Sequence, residues 1–196
     1  GGRINLNDLV TTNGQVDTLT KDRLTRLFVA LGITGLNVDA LIDWIDSDDQ
    51  TVSAYGAEDG QYLMADQPFR TANQPFVSIT ELRLIEGMTE EIYVALRPHV
   101  TAVPVSGIGI NVNSERFEDL QDFLALSEFS GLGLKPAGLA LQTRFFEVVS
   151  RITYDNRVVN MVSTVFRNPE GEVRTVHRDT GQKNRITKEP FTFSEG

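Results

Sequence analysis

Residues 39–59 read DALIDWIDSDDQTVSAYGAED and carry seven acidic side chains with no lysine or arginine. Widening the window to residues 27–69 gives eight acids, still without a basic residue, so nearly all of the formal net charge of -9 lies in this part of the chain. Carboxylates packed this closely repel one another unless a cation or a basic surface lies among them. The fold around this stretch has to accommodate that repulsion, and a bound hard cation is the first hypothesis to test.

The first part of the stretch is typical of a helix. Apolar residues recur at i, i+3, i+4 and i+7 from Val38, and Asn37 stands where the N-cap of such a helix belongs. Asp39 and Asp43 fall on the opposite face of this helix. We therefore expect these two carboxylates to be solvated.

The second part of the stretch predicts a calcium site. Asp46 and Asp48 have a D-x-D spacing that lets two carboxylates from one turn reach a single ion, Asp49 adds a third oxygen donor, and Glu58 or Asp59 closes the shell from across the loop. Calcium takes six to eight oxygen ligands, whereas magnesium prefers few protein ligands in a rigid octahedron. The loop is not an EF-hand, because its sixth position lacks glycine. A solvated helix end and loop without any ion is the alternative interpretation.

Helices are predicted on both sides of the acidic stretch. Before it, Thr20 is placed to cap a helix that Gly32 ends in a left-handed conformation. After it, Ser78 and Glu81 have the spacing of a capping box, and Gly87 separates that helix from the next one. The two helix–glycine–helix joins predict two helix-hairpin-helix-like units. Acids rather than lysines follow Gly87, which favours a packing or protein-interaction role over phosphate binding.

Strands are predicted at both ends of the chain. Residues 3–10 alternate apolar and polar side chains, and residues 108–113 are typical of a second strand, followed by a helix over residues 117–126. In the last third of the chain the period changes to two, and turns at Asp155 and at residues 168–171 predict a three-stranded antiparallel meander. This order of elements predicts an α+β protein in which a helical segment is inserted between the strands of one sheet.

Composition excludes several classes of function. Of the 196 residues, 40% are hydrophobic, enough to fill a core. The absence of cysteine excludes disulfides, thiolate metal sites and cysteine nucleophiles. His99 and His177 fall in different elements, and no serine lies in a nucleophile motif, so no enzyme is predicted. The chain begins with Gly1-Gly2 and has no run of about 18 apolar residues, so we expect a fragment or processed form from which an anchoring segment has been left off.

The sequence contains a series of distinctive blocks. They are RINLNDLV at residues 3–10, ALIDWIDSDDQ at 40–50, GAED at 56–59, PFRTANQPFVSITELRLIEGMTEEIYVALRPHVT at 68–101 and INVNS at 110–114. In this order the blocks resemble the type II secretion system minor pseudopilin K family, also called general secretion pathway protein K. The resemblance covers residues 3–126 through specific motifs and extends more loosely over the meander.

The resemblance implies a pseudopilin-type antiparallel sheet with a large inserted α-helical domain of the helix-hairpin-helix or SAM-like kind. The family's N-terminal membrane helix is absent from this chain, and the family pattern leads us to expect residues missing between Ser114 and Glu115. The predicted divisions are residues 1–16 for the first part of the sheet, 17–105 for the inserted helical domain with the acidic calcium loop, 106–142 for a strand and the helical remainder of the insertion, 143–180 for the meander that completes the sheet, and 181–196 for a C-terminal tail.

The resemblance also implies a structural, non-catalytic role. Such a protein is anchored in the bacterial inner membrane with its soluble part in the periplasm, and caps the pseudopilus tip together with minor pseudopilins I and J for export of folded proteins across the outer membrane. Family members are associated with bound Ca²⁺, which transfers here to Asp46, Asp48, Asp49, Glu58 and Asp59. A calcium-dependent module that recognises secreted substrates is the alternative. No nucleic-acid partner is expected, and contact with the membrane is expected only through the missing helix.

Overall fold

The computed structural model describes residues 2–104, 107, 109–112, 119–127, 135–155 and 157–180. The chain divides into two compact units, a helical unit from residue 2 to residue 141 and a sheet unit from residue 142 onward. Both helices and strands are present, which confirms the α+β class. Within the described residues, no helix has both the length and the apolar character needed to cross a bilayer.

The helical unit contains short strands around a set of helices. Its elements are β1 (Ile4–Asn5), a first 3₁₀ segment (Leu6–Leu9), α1 (Thr18–Ala30), α2 (Val38–Ile45), α3 (Asp59–Tyr62), a second 3₁₀ segment (Ile79–Leu84), α4 (Glu90–Leu96), β2 (Val100–Thr101), β3 (Ile110–Asn111), α5 (Leu120–Leu124) and β4 (Leu139–Ala140). The sheet unit contains β5 (Phe145–Tyr154), β6 (Arg157–Arg167) and β7 (Val173–Asp179).

The first two helices end and begin at recognisable caps. Asp17, not the predicted Thr20, caps α1, because its Oδ1 accepts the Thr20 amide over 2.7 Å. Gly32 follows α1 with a φ of 68°, as predicted. Asn37 caps α2 through its side chain, also as predicted.

The second pair of helical elements follows its sequence signals as well. The capping box of Ser78 and Glu81 is present, although it begins a 3₁₀ segment rather than an α-helix. Gly87 follows with a φ of 80°, and a Cβ at this position would overlap the carbonyl oxygen of Gly35. The two helix–glycine–helix joins thus pack backbone against backbone, which is consistent with a packing scaffold.

A single apolar core joins α1, α2, α4 and both 3₁₀ segments. Burial of each large apolar side chain contributes about 1.5–3 kcal/mol. The side chains with the lowest exposure are Leu6, Leu9, Leu24, Leu41, Ile42, Leu82, Leu96 and Val100. These side chains come from segments far apart in sequence. The core therefore fixes the position of α2, which carries the first part of the acidic stretch.

The predicted strand over residues 3–10 is correct only at Ile4–Asn5. The chain turns into the first 3₁₀ segment after Asn5, whose side chain accepts the Asn7 amide over 3.4 Å. β1 pairs in parallel with β2, with Ile4 opposite Val100. Residues 1–16 were expected to begin the sheet of the meander, but among the described strands that sheet holds β5, β6 and β7 alone.

The meander of the sheet unit confirms the prediction from its period of two. β5 and β6 are antiparallel from Phe145 opposite Phe166 to Tyr154 opposite Arg157, and β7 adds to the other edge of β6. Asp155 takes a φ of 53° in the first turn, next to Asn156, which lies outside the described residues.

Residues 106–142 are described only in part. β3 lies within the predicted strand 108–113 and pairs in parallel with β4, which follows the predicted helix 117–126. Of that predicted helix, the structure describes α5. The expected break between Ser114 and Glu115 lies outside the described residues, as does the C-terminal tail from residue 181. The finer domain boundaries stay predictions.

Candidate metal centre

Three carboxylates converge at the end of α2. Asp43, Asp46 and Glu58 each offer one oxygen, and these oxygens lie within 4.8 Å of one another. All three residues are buried, with exposures of 0%, 8% and 4%. Within the described part of the chain, no other three metal-ligating side chains converge in this way.

Local structure places each of the three side chains. Asp43 lies in the last turn of α2, and Asp46 is the C-cap, where the chain leaves the helix with a ψ of 173°. Glu58 is the N-cap of α3, and its amide bonds to Gln61 Oε1 over 3.0 Å. The end of one helix and the start of another therefore meet across the loop between them, and each supplies acids.

One oxygen of each carboxylate lacks a protein partner. Asp43 Oδ2, Asp46 Oδ1 and Glu58 Oε1 are buried and accept no hydrogen bond from the described residues. Other oxygens of the group are satisfied, since Asp43 Oδ1 accepts the Val52 amide over 2.9 Å and Glu58 Oε2 accepts Thr71 Oγ1 over 3.0 Å. Buried polar groups without partners are costly. The arrangement leaves three buried, unpartnered oxygens for a ligand.

Burial raises the pKa of all three acids. It raises the pKa of Asp46 to about 6, with the charges of Asp48 and Asp43 adding to the effect. It raises the pKa of Glu58 to about 7, against the lowering effect of the Thr71 hydrogen bond. The pKa of Asp43 is also raised, again by burial first. Each carboxylate is costly to ionise here in the absence of a cation.

The loop closes over Asp43 because residue 56 is glycine. A Cβ on Gly56 would overlap Asp43 Oδ2 and would lie 3.2 Å from the Thr51 Cβ. The backbone of the loop therefore occupies the space next to the carboxylate, where any side chain would displace it. Gly56 is thus part of the site although it supplies no side-chain ligand.

The structure brings together two of the five predicted ligands, Asp46 and Glu58. Asp48 Oδ1 accepts the Gln50 amide over 2.9 Å at the surface. Asp49 Oδ1 accepts Asn73 Nδ2 over 3.1 Å. Their role as ligands stays a prediction, because both lie outside the converging group.

Asp59 is engaged elsewhere. Its Oδ2 lies 2.7 Å from Arg70 Nη1, and its Oδ1 accepts the amide and the hydroxyl of Thr71 over 2.9 and 2.8 Å. The hydrogen bonds from Thr71, followed by the charge of Arg70, lower the pKa of Asp59. This carboxylate is neutralised by protein groups, in contrast to its neighbour Glu58.

The expectation that Asp39 and Asp43 are solvated is wrong. Asp43 is in the carboxylate cluster, and Asp39 is buried between Lys21 Nζ at 2.6 Å and Ser53 Oγ at 2.6 Å. The loop after α2 folds back over the face that was expected to meet solvent. The i, i+3 spacing of Asp43 and Asp46, which places both on one helix face, is the signal that identifies Asp43.

The donor set determines what the site can bind. Three carboxylate oxygens without histidine or cysteine are ligands for a hard cation, not for zinc or copper. The orphaned oxygens, the raised pKa values and the fit of Gly56 all agree with a divalent cation of this class.

Comparison with known proteins relates the chain to one family. The family model for type II secretion system (T2SS), protein K matches residues 2–105. Type II secretion system protein K of Pseudomonas aeruginosa is 32% identical over 92% of this chain and 62% of its own length. The protein of the same name from Aeromonas hydrophila is 38% identical over 54% of this chain and 32% of its own length. The chain therefore spans less than two thirds of these relatives.

A solved structure extends the comparison across both units. The crystal structure of the GspK-GspI-GspJ complex from the enterotoxigenic Escherichia coli type 2 secretion system contains a chain that is similar to this one with a TM-score of 0.80. The match has 25% sequence identity and covers 92% of this chain and 76% of that chain.

Proposed function

The chain belongs to the type II secretion system protein K family, and on that premise we propose that it is a non-catalytic minor pseudopilin at the tip of the secretion pseudopilus. The observation that carries the proposal is the structural likeness to a protein K that was crystallised together with GspI and GspJ. We infer that this chain assembles with minor pseudopilins I and J in the same way. In this proposal the described part of the protein lies in the periplasm, and the protein is anchored in the inner membrane.

The proposed fold of such a subunit is a pseudopilin sheet with an inserted helical domain. An inserted domain has to begin and end at neighbouring points. The parallel pairing of β1 with β2 brings Ile4 next to Val100, so the chain segments before and after the helices lie side by side. This pairing supports an insertion formed by the helices between β1 and β2.

Co-purification tests the assembly. The chain is mixed with the periplasmic heads of minor pseudopilins I and J from the same bacterium, and the mixture is run on size-exclusion chromatography with light scattering. We expect one complex that contains all three proteins, while the head of the major pseudopilin serves as the control partner. Elution of the chain alone would argue against the proposal, and calcium-dependent binding of a secreted protein under those conditions would favour the alternative function.

We further propose that Asp43, Asp46 and Glu58 bind Ca²⁺ through their buried, unpartnered oxygens. When bound, the ion neutralises the repulsion among the three carboxylates and fixes the loop against α2. The protein residues hold the geometry: Val52 and Thr71 orient two of the carboxylates by hydrogen bonds of 2.9 and 3.0 Å. The role of the ion is structural.

Thermal unfolding with calcium and with chelator tests the site. A ligand at 100 times its dissociation constant adds about 2.7 kcal/mol to the free energy of unfolding, so the melting temperature should rise clearly. Trp44, the single tryptophan, packs edge-on against Tyr62 at 5.4 Å and gives a fluorescence signal beside the site. An unchanged melting temperature would contradict calcium binding.

Two matched variants separate the converging cluster from the exposed acids. Glu58→Gln removes a charge from the cluster, and Asp48→Asn removes one from the surface. We expect Glu58→Gln to lose most of the stabilisation by calcium and Asp48→Asn to keep it. The opposite pattern would assign the ion to the acids of the D-x-D motif.

A further inference from the structure

Residues 70–76, RTANQPF, bond at one end to the acids at the start of α3. Thr71 Oγ1 donates to Glu58 Oε2 over 3.0 Å, whereas Glu58 Oε1 accepts no hydrogen bond from the described residues. Arg70 Nη1 and the Thr71 amide bond to Asp59 at 2.7 and 2.9 Å. The conformation of Glu58 is therefore tied to the position of the 70–76 segment.

The middle of the segment bonds to α2 and to the acidic loop. The Asn73 amide donates to the Trp44 carbonyl over 3.1 Å, and Asn73 Nδ2 donates to Asp49 Oδ1 over 3.1 Å. Trp44 lies on α2 between Asp43 and Asp46. The segment thus follows the helix that supplies two of the three converging carboxylates.

The far end of the segment meets the buried side chain of Asn7. The Phe76 amide donates to Asn7 Oδ1 over 2.8 Å, and Asn7 Nδ2 donates to the Phe76 carbonyl over 3.0 Å. The same Nδ2 donates to the Val103 carbonyl over 3.1 Å, and the Val103 amide donates to Asn5 Oδ1 over 3.0 Å. We call this set of bonds the Asn7 junction, because it joins three distant parts of the chain.

We propose that the 70–76 segment couples cation binding at the Asp43–Asp46–Glu58 cluster to the Asn7 junction, where the chain enters and leaves the helical segment. This inference rests on the calcium site proposed above. An ion that fixes Glu58 also fixes Thr71, and a segment displaced at that end has to strain the buried bonds at Phe76. Breaking buried hydrogen bonds is costly. Order at the junction and affinity at the cluster therefore favour each other, as linkage requires.

Through this coupling, the ion has a structural effect beyond the cluster that binds it. The junction lies beside the β1–β2 pair, in which Ile4 faces Val100. Calcium binding would then fix the two chain segments that lead into and out of the helical unit, although the ion itself is held elsewhere. Asn7 acts as a positioning residue in this scheme.

Amide hydrogen exchange of the unmodified protein tests the coupling. The Val52 amide reports on the cluster, the Phe76 and Val103 amides report on the junction, and the Tyr93 amide, bonded to the Thr89 carbonyl in α4, is the internal control. We expect calcium to slow exchange at Phe76 and Val103 by nearly the same factor as at Val52, and by a larger factor than at Tyr93. Junction amides that change no more than Tyr93 would overturn the coupling.

Reciprocity gives a second measurement. Asn7→Ala removes the three junction bonds that the Asn7 side chain makes, and Leu24→Ala removes another buried side chain, in α1, that belongs to neither the segment nor the cluster. We expect Asn7→Ala to weaken calcium binding by at least about fivefold, within the usual range of coupling between sites. Leu24→Ala should leave the affinity of the folded protein unchanged. Equal affinities in the two variants would overturn the inference.

The two proposals fail in different ways. Calorimetric titration with calcium that shows no binding would overturn both the site and the coupling. Binding that protects the Val52 amide but leaves Phe76 and Val103 unaffected would overturn the coupling alone. If Asn7→Ala does not fold, the exchange measurement on the unmodified protein decides.

Discussion

Gly56 shows how a residue without a side chain can shape a candidate metal centre. Its backbone lies against Asp43 Oδ2, in space that a Cβ would take. The requirement is spatial, because the φ of this glycine is not positive. The loop therefore approaches α2 closely enough for the Val52 amide to orient the Asp43 carboxylate.

We predict that Gly56→Ala weakens calcium binding by about tenfold or more, which is a loss of about 1.4 kcal/mol. The added methyl group displaces either Asp43 or the loop. Gly60→Ala is the matched control, since Gly60 lies in α3 with open space around its Cα. Alanine is the better helix former, so this control should bind calcium normally and be as stable as the parent or more so. Titration calorimetry on both variants measures the difference, and equal affinities would contradict the steric account.

The carboxylate cluster should also make stability depend on pH. Burial raises the pKa of Asp46 from 3.8 to about 6 and the pKa of Glu58 from 4.5 to about 7. Between the ordinary and the raised values the folded protein binds more protons than the unfolded chain. Without a cation, the free energy of unfolding contributed by these groups therefore falls as pH rises through that window.

Urea unfolding at pH about 5 and at pH about 7 tests this linkage. In the presence of chelator, we expect the free energy of unfolding of Glu58→Gln to fall less than that of the parent between the two pH values. The reason is that the variant lacks one of the carboxyl groups with a raised pKa. Calcium binds the ionised carboxylates, so its stabilising effect on the parent should grow over the same interval. An identical pH dependence for the parent and Glu58→Gln in chelator would show that Glu58 is not a source of the effect.

At the scale of elements, helix starts depend on contacts within a few residues. Asp17 accepts the Thr20 amide and so satisfies one of the free donors at the start of α1. Ser78 and Glu81 do the same reciprocally for the second 3₁₀ segment. These local bonds specify where each helical segment begins, independently of contacts in the core.

We predict that Asp17→Ala lowers the free energy of unfolding by about 0.5–2 kcal/mol, as expected for loss of an N-cap. Asp22→Ala is the control, because Asp22 lies in the same helix and, among the described residues, its side chain forms an exposed ion pair with Arg26 at 2.9 Å. Such a pair contributes about 0.3–0.5 kcal/mol. Chemical denaturation of both variants measures the two losses. A loss at Asp22 as large as that at Asp17 would contradict the capping role.

At the scale of the whole molecule, the carboxylate cluster and the three-stranded meander belong to different compact units. The cluster and the Asn7 junction both lie in the helical unit, whereas β5, β6 and β7 form the sheet unit. We predict that calcium protects amides of the helical unit from hydrogen exchange and leaves those of β6, such as Val162, unchanged. Equal protection in both units would indicate that calcium stabilises the chain as one cooperative body.

The sequence alone determined the features that depend on neighbours in the chain. The caps at Asn37 and Ser78 and the left-handed glycines 32 and 87 follow from interactions over two to four residues, and the strands of the meander show in the alternation along each strand. These patterns are visible without a structure. The acidic stretch was likewise visible as a candidate cation site, because charge density is a property of composition. Asp17 was missed because Thr20, three positions later, is an equally acceptable cap by residue type.

Only the tertiary structure decided which acids converge. Asp43 became buried because the loop folds back over α2 at Gly56, while Asp59 and Asp49 were drawn away by Arg70 and by Asn73, residues 11 and 24 positions distant. The pairing of β1 with β2 likewise joins residues at opposite ends of the helical segment. Contacts at such separations depend on how the whole core packs, and no local pattern specifies them.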